Sequence, residues 1–265
     1  GCTEISCALY EEDSLLYYLQ AVPRSAKTAA GCRPLKIAAS VRRLHRVVSY
    51  HMEEPNVLML DQAEYALDGE PYREEEELLR LDNVLRKELG WPLKMEAFAQ
   101  PWTESSREEE KHTLRLRFSF SSDMETDTVR IAMEDLDKAQ LIWNGEKRSG
   151  APQGWYVDEC IQTMELRGIR RGRNELEVIL PYTRKSNVEW CYLLGNFGVE
   201  IAGNRAMVTD LPKDLGFSDL TAQKMPFYGG NLTYHCQVDL EAGEYTLRIP
   251  KYRAALLKVA VDGED

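Results

Sequence analysis

Aromatic side chains stand beside acids and amides in three segments of this sequence that are rich in turn residues. Aromatic rings stack on the apolar faces of sugar rings, while neighbouring carboxylates and amides form hydrogen bonds with the hydroxyl groups. These segments therefore carry the residue types of a carbohydrate-binding surface. The candidate ligand-binding residues are Trp155, Tyr156, Asp158, Glu189, Trp190, Tyr192, Phe227, Tyr228 and Asn231.

The same rings could instead pack in a core or between domains. Trp143 lies within an apolar strand-like run, so we expect it in the core. Trp155 and Tyr228 are flanked by glycine and other turn residues, which leaves ligand contact open for them. Packing and sugar contact therefore remain alternative interpretations of the aromatic residues.

Glycosidase chemistry needs two carboxyl groups held a defined distance apart across the scissile bond. With 44 acidic residues, the sequence selects no such pair. Glu189 beside Trp190 and Asp158 beside Tyr156 are the acids to consider, and a structural role is the better interpretation of each. We therefore predict no catalytic residues.

Metal-binding patterns are absent from the sequence. None of the four histidines stands at ligand spacing from a cysteine or an acidic motif, so we predict no zinc site. Jelly-roll domains often hold a structural calcium ion in loops rich in Asp and backbone carbonyls, although no loop here has an ordered Asp/Asn ladder. We predict no cofactor, with a structural calcium ion left open.

The net charge of −11 limits the partners of this protein. Such a surface repels phosphate backbones, so we expect no nucleic-acid partner, whereas neutral glycans remain permitted. No apolar run approaches the length that spans a bilayer, so we expect no membrane partner. The six cysteines are scattered without metal spacing, which favours reduced thiols and slightly favours a cytoplasmic over an extracellular location.

Residues 1–110 contain two kinds of pattern. Short apolar runs at Ser14–Val22, Pro34–Ser40 and Val57–Leu60 predict that residues 1–70 are the β-rich end of a preceding sandwich domain. Residues 71–110 predict an amphipathic helix and a linker. Pro71 suits the first turn and Glu74–Glu77 place negative charge near the helix N-terminus, followed by regularly spaced leucines up to Gly90.

Beyond residue 111 the period of the apolar pattern changes from 3.6 to 2. Leu114, Leu116, Phe118 and Phe120 alternate with polar residues, which is typical of a half-buried strand. Many short strands separated by turns follow, and this arrangement favours a sandwich or jelly roll. The sequence thus predicts a mainly β fold.

A shift of 118 residues superimposes two parts of the β region. It places Leu114–Phe120 on Leu232–Val238 and the turn Asn144-Gly145 on Asp262-Gly263. Matching apolar parity and a matching turn in one register suggest two related β units. We therefore predict a jelly roll over residues 111–265 with a partial second copy from about residue 230, whose last strands dock onto the first sandwich.

Two sets of motifs resemble known families of glycoside hydrolases. One set resembles the galactose-binding-like jelly roll of glycoside hydrolase family 2, in which Asp158 takes the position of an acid that tethers a loop: Leu141–Glu146, Gly154–Ile161, Leu166–Gly168 and Gly172–Val178. The other is similar to the C-terminal part of bacterial α-L-rhamnosidases of family 106: Glu54–Asp61, Tyr65–Gly69, Tyr192–Val199 and Pro226–Tyr234.

The resemblance covers roughly residues 50–265 and includes nothing similar to a catalytic barrel. It implies a non-catalytic carbohydrate-binding or supporting β-sandwich region of a glycoside hydrolase that acts on plant or bacterial polysaccharide. The implied partners are carbohydrate and an upstream catalytic domain of the same polypeptide. Two alternatives remain: a structural scaffold that packs on the catalytic barrel without sugar affinity, and a glycosidase in its own right.

Overall fold

The computed structural model describes residues 47–94, 111–241, 243, 245–249 and 251–262. Residues Leu44–Gln237 belong to one compact unit, and the residues from Val238 onward belong to a second. The segments Ser14–Val22 and Pro34–Ser40, and nearly all of the predicted linker, lie outside the described residues. Within the described part of the first unit there are fifteen strands, one α-helix and one short 3-10 helix, so the prediction of a mainly β fold is confirmed.

The strands alternate along the chain with short turns, apart from the helix α1 (Leu78–Glu88) and the 3-10 helix at Leu220–Gln223. In chain order the strands are β1 (Val47–Met52), β2 (Asn56–Leu60), β3 (Gln62–Leu67), β4 (Arg73–Glu77), β5 (His112–Ser122), β6 (Thr128–Met133), β7 (Gln140–Trp143), β8 (Glu146–Arg148), β9 (Trp155–Tyr156), β10 (Asp158–Arg167), β11 (Gly172–Tyr182), β12 (Cys191–Gly195), β13 (Gly198–Ala202), β14 (Arg205–Thr209) and β15 (Leu232–Cys236).

Two sheets form the sandwich. The five-stranded sheet has the order β2-β12-β6-β10-β9, and all its pairs are antiparallel. The eight-stranded sheet has the order β13-β14-β5-β11-β7-β8, with β3 beside β5 and β4 beside β3. A separate antiparallel pair joins β1 to β15. Strands β2 and β3, from the region before residue 71, thus belong to the same two sheets as strands that follow residue 111.

The core lies between the two sheets, because alternate residues of each strand face inward. On β5 these are the four residues of the predicted alternation, which are at most 4% exposed, and β11 pairs with β5 along its whole length. The five-stranded sheet contributes Leu58, Ile131 and Leu193, each 0% exposed. Trp143 is in this core as predicted, with 1% of its surface exposed.

The acidic run before the helix lies in a strand. The sequence predicts a helix that has Pro71 in its first turn and Glu74–Glu77 near its N-terminus, but β4 ends at Glu77 and α1 begins only at Leu78. The prediction was wrong here because the backbone of β3 offers an antiparallel partner, and an edge strand exposes acidic side chains without penalty. Glu77 serves as the N-cap, since its carboxylate accepts a hydrogen bond from the Arg80 amide at 3.0 Å.

A buried polar network fixes α1 to the loop that follows β11. Asp82 accepts hydrogen bonds from Arg86 Nε at 3.0 Å and from the Tyr182 hydroxyl at 2.6 Å, and burial raises the pKa of Tyr182. The Arg86 guanidinium also donates to the carbonyl oxygens of Arg184 and Ser186, at 3.0 and 2.8 Å. The loop leading to β12 is therefore attached to the helix by charged hydrogen bonds that exclude water.

The described residues include both members of two pairs that the predicted repeat aligns. Asn144 and its counterpart Asp262 both adopt positive φ, at 50° and 52°, which few residue types tolerate. Strand β15 coincides with the shifted position of β5, but it pairs with β1. Of the residues described between 238 and 260, none belongs to a strand, and apolar side chains such as Leu247 and Val259 are exposed.

Candidate functional site

The outer face of the five-stranded sheet carries a small apolar cluster that is separate from the main core. Val57, Ala132 and Leu194 are buried there, at 3% exposure or less. Partly buried side chains pack against them, and we call these four residues the tyrosine face: Tyr156, Ile161, Tyr192 and Phe227.

Strand pairing brings the tyrosine face together. Leu193 and Ile131 point into the main core, so their neighbours Tyr192 and Ala132 point outward. Tyr192 lies directly opposite Ala132, and Thr163 of β10 pairs with Ala132 from the other side. The turn between β9 and β10 then places Tyr156 beside this row.

The two tyrosine rings form an angled pair. Their centroids are 5.6 Å apart and their planes are inclined by 57°. Burial raises the pKa of both phenols, with a smaller contribution from the Glu54 carboxylate for Tyr156 and from Tyr156 for Tyr192. Both are therefore neutral at ordinary pH, and no hydrogen bond joins either hydroxyl to a described residue, so each can donate to and accept from a ligand.

One border of the tyrosine face is built by Glu54. Its carboxylate accepts hydrogen bonds from the Asn231 backbone amide at 2.6 Å, from Asn231 Nδ2 at 2.8 Å and from the Tyr228 hydroxyl at 3.2 Å. The backbone hydrogen bond from Asn231 is the main cause that lowers the pKa of Glu54. Gly230 makes this contact possible, because a Cβ there would lie 2.3 Å from Glu54 Oε2. The segment Tyr228–Asn231 thus closes against a single carboxylate.

The opposite border contains two further carboxylates. Lys94 Nζ lies 2.9 Å from Glu189 Oε1 and also contacts Asn187 Oδ1. Asn187 Nδ2 donates to Glu134 Oε2 at 2.6 Å. After burial and the neighbouring Tyr156 and Cys191, the charges of Glu189 and Glu134 also raise the pKa of Tyr192, which places both acids near the tyrosine face. This border follows the loop that Arg86 fixes, so its geometry depends on α1.

The structure distributes the nine sequence-predicted residues unequally. Tyr156, Tyr192 and Phe227 share the tyrosine face, while Tyr228, Asn231 and Glu189 belong to its two borders. The other three take different positions: the Trp190 indole donates to Glu77 at 3.0 Å and packs on the main core, Asp158 accepts from the Cys160 amide at 2.9 Å in a local turn, and Trp155 is 57% exposed on the edge strand β9.

The turn between β9 and β10 has an unfavourable backbone conformation. Val157 has φ of +63°, in the left-handed region that a β-branched residue rarely adopts, and its side chain is 75% exposed. Such a conformation costs on the order of 1–3 kcal/mol and persists only where surrounding structure enforces it. The turn that positions Tyr156 is therefore held in place by its neighbours.

The sequence patterns did not reveal Glu54 and Ile161. Glu54 contacts Tyr228 and Asn231, which lie 174 and 177 residues away, so no local spacing could indicate the pair. Ile161 has the outward parity of β10, opposite to the buried Met164 and Leu166. An apolar residue at an outward-facing position of a strand was the sequence feature that could have indicated Ile161.

The arrangement brings together groups that suit a ligand with both apolar faces and hydroxyls. Two neutral phenols and an apolar floor lie between carboxylates and amides, the combination that sugar rings and hydroxyls require. Over the residues that the structure describes, no group of three or more metal-ligating side chains occurs. The described helix is also too short and too polar to cross a membrane.

Comparisons with known proteins add little. No protein-family model matches the chain. No curated protein matches it. Among solved structures, the chain is similar to the GH31 α-xylosidase from Xanthomonas citri, with a TM-score of 0.25 and 11% identity over 55% of this chain and 16% of that chain. Likeness at this level assigns neither a family nor a function.

Proposed function

We propose that this chain is a non-catalytic carbohydrate-binding β-sandwich region of a glycoside hydrolase and that the tyrosine face is its sugar site. The observation that carries the proposal is the pair Tyr156 and Tyr192, whose half-buried rings keep their hydroxyls unpaired within the described protein. Tyrosine offers a rigid apolar ring and a polar end at low entropic cost, which suits an amphipathic ligand such as a sugar.

The angle between the two rings limits the form of the ligand. A flat polysaccharide surface needs coplanar rings, whereas these planes are inclined by 57°. Two angled rings instead contact two sides of one sugar unit or of a bent, soluble chain. The proposed ligand is therefore a soluble oligosaccharide or a chain end, with its hydroxyls toward the carboxylates of Glu54, Glu134 and Glu189.

The test is a titration of the chain with neutral oligosaccharides, including rhamnose-, galactose- and xylose-containing ones, followed by calorimetry. We expect binding in the millimolar to micromolar range, weakened about tenfold by Tyr192→Ala through loss of ring contact. Tyr72→Ala is the matched control, because Tyr72 is also half-buried but packs on Arg115 and Arg117 of the eight-stranded sheet. Absence of binding at millimolar ligand would overturn the proposal.

A second candidate is a scaffold that packs on a catalytic domain without sugar affinity. The exposed apolar side chains of Trp155 and Val157, at 57% and 75%, favour this alternative. The same titration separates the two functions, because a scaffold leaves all the oligosaccharides unbound. Hydrolysis of the ligand during the titration would instead indicate an enzyme.

A further inference from the structure

A polar cleft opens between the edges of the two sheets, away from the tyrosine face. It comprises two adjoining hollows of about 370 and 280 Å³, which share Asp127, Arg148 and Arg167. The C-terminal half of β10 forms one side and the β7–β8 hairpin forms the other. The core residues Trp143 and Met164 contribute to the walls of one hollow each. We call this the arginine cleft.

The arginine cleft is separate from the tyrosine face. Ile161 and Arg167 are six residues apart on β10, a distance of about 20 Å along an extended strand. The segment before β9 lies alongside β10 between them, since Thr163 Oγ1 donates to the Gln153 carbonyl at 2.9 Å and Thr163 N donates to the Gly154 carbonyl at 3.0 Å. A ligand in one site therefore leaves the other accessible.

Hydrogen bonds with residues of the β7–β8 hairpin hold the guanidinium groups of the cleft in place. Glu146 Oε2 accepts hydrogen bonds from Arg148 at 2.8 Å and from Arg167 at 3.1 Å. Arg170 donates to the carbonyl of Asn144 at 2.9 Å, in the positive-φ turn that joins β7 to β8. The Arg148 side chain is 17% exposed, and its Nε is buried without a hydrogen-bond partner in the described structure. These arginines have more donors than the protein uses.

The charges of the cleft select the class of ligand. Glu125 and Asp127 join Glu146 in the larger hollow and Glu165 lines the smaller one, so four carboxylates accompany three guanidinium groups. An anion would meet the carboxylates and a cation would meet the guanidinium groups, each at an electrostatic cost. A hydroxyl group can donate a hydrogen bond to a carboxylate and accept one from a guanidinium group. A ligand with adjacent hydroxyls therefore satisfies both kinds of side chain.

We propose that the arginine cleft is a second sugar site, which binds an uncharged, hydroxyl-rich residue. The larger hollow, of about 370 Å³, lies in the size range of small-molecule pockets. The inference shares the ligand class of the proposed function but uses none of its residues. A glycan that reaches both sites gains affinity because its second contact becomes intramolecular.

The test uses the intact chain and the side-chain Nε–H signals of arginine in ¹⁵N NMR spectra. Methyl glycosides of glucose, galactose, xylose and rhamnose are the probes, with glucuronate and inorganic sulfate as anionic comparisons. We expect a neutral glycoside to shift the signals of Arg148 and Arg167, and Arg167→Gln to weaken this binding about tenfold. Arg173→Gln is the matched control, since the Arg173 side chain is 68% exposed against 72% for Arg167.

The two sugar sites are distinguished by crossing the variants. Shifts at the arginine signals that survive Tyr192→Ala but not Arg167→Gln support the second site. Binding that is lost only with Tyr192→Ala overturns the second site and leaves the proposed function intact. Preferential binding of glucuronate or sulfate, or no response of the arginine signals to any probe, also overturns the inference.

Discussion

The outer faces of the two sheets differ in how far their side chains interact with one another. On the eight-stranded sheet, Arg115 and Arg117 pair with Glu177 and Glu64, each at 2.7 Å, and the ring of Tyr72 lies over both guanidinium groups. The charged groups of this face therefore pair with one another. On the five-stranded sheet, aromatic rings are left partly uncovered and their hydroxyls unpaired. Partly uncovered apolar faces of this kind are typical of interaction surfaces, and this contrast supports the proposed sugar site.

The largest effect is expected from removing both rings of the tyrosine face. Tyr156→Ala together with Tyr192→Ala should weaken oligosaccharide binding by about 100-fold, because each ring contributes roughly 1.4 kcal/mol of contact. Arg115→Ala together with Glu177→Ala, on the other sheet, should leave affinity unchanged and cost less than about 1 kcal/mol of stability. Calorimetry and thermal unfolding measure both. Equal losses of affinity from the two double variants would contradict the prediction that only the tyrosine face contributes to oligosaccharide binding.

Gly230→Ala should disturb the border of the tyrosine face without touching its rings. The new Cβ would lie 2.3 Å from Glu54 Oε2, so the Glu54 carboxylate must shift and its hydrogen bonds with Asn231 and Tyr228 weaken, at about 1–2 kcal/mol of unfolding free energy. Gly229→Ala is the matched control, since nothing lies within 4 Å of a Cβ at Gly229. Urea unfolding of both variants checks the difference, and an unaffected Gly230→Ala would show that the border is not rigid.

Acidic pH should weaken the hydrogen bonds of Glu54 at the same border of the tyrosine face. The backbone hydrogen bond from Asn231 is the main cause that lowers the pKa of Glu54 in the folded protein. The ionised carboxylate therefore stabilises the fold fully above the pKa that Glu54 has in the unfolded chain. This stabilisation is lost as pH falls through the lower pKa of the folded protein. We expect sugar affinity to fall two- to threefold as pH drops below the folded pKa of Glu54, which lies under its ordinary value, because the carboxylate is then protonated. The measurement is a pH series of titrations, and Glu54→Gln should flatten this dependence. A profile identical in Glu54→Gln would assign it to other acids.

The smallest effect concerns the turn that positions Tyr156. Val157→Asn should raise the unfolding free energy by about 0.5–1 kcal/mol, because Asn tolerates the left-handed backbone that Val157 adopts at φ +63°. Affinity should stay within twofold, since Val157 points to solvent. Thermal unfolding measures the gain. A decrease in stability would show that the exposed valine makes contacts that offset its strain.

Local patterns were sufficient for much of the sandwich but not for its site. The alternation from Leu114 to Phe120 specifies an inward face wherever the strand pairs, and Asn144-Gly145 specifies its own turn. The tyrosine face depends on pairing between β2, β12, β6 and β10, which are far apart in the chain. Tyr156, Tyr192 and Phe227 were identified by residue type alone, and their common face follows from strand order that the sequence does not state.

The acidic run and the arginine cleft show the same limit. Glu74–Glu77 has the composition of a helix start, and the availability of β3 as a partner makes it a strand. Arg148 and Arg167 are 19 residues apart in sequence and meet at Glu146, because the β7–β8 hairpin and the end of β10 lie side by side. Convergence between sheet edges is a tertiary property.

The fixation of the loop after β11 has a consequence for proteolysis. Arg184 and Lys185 are exposed and carry the side chains that trypsin selects. A protease must draw several residues of its target into an extended conformation, yet the carbonyls of Arg184 and Ser186 are held by Arg86 from inside the protein. Cleavage there requires the helix to release its buried arginine first. The border that carries Glu189 is therefore protected from nicking by an interaction on its hidden side.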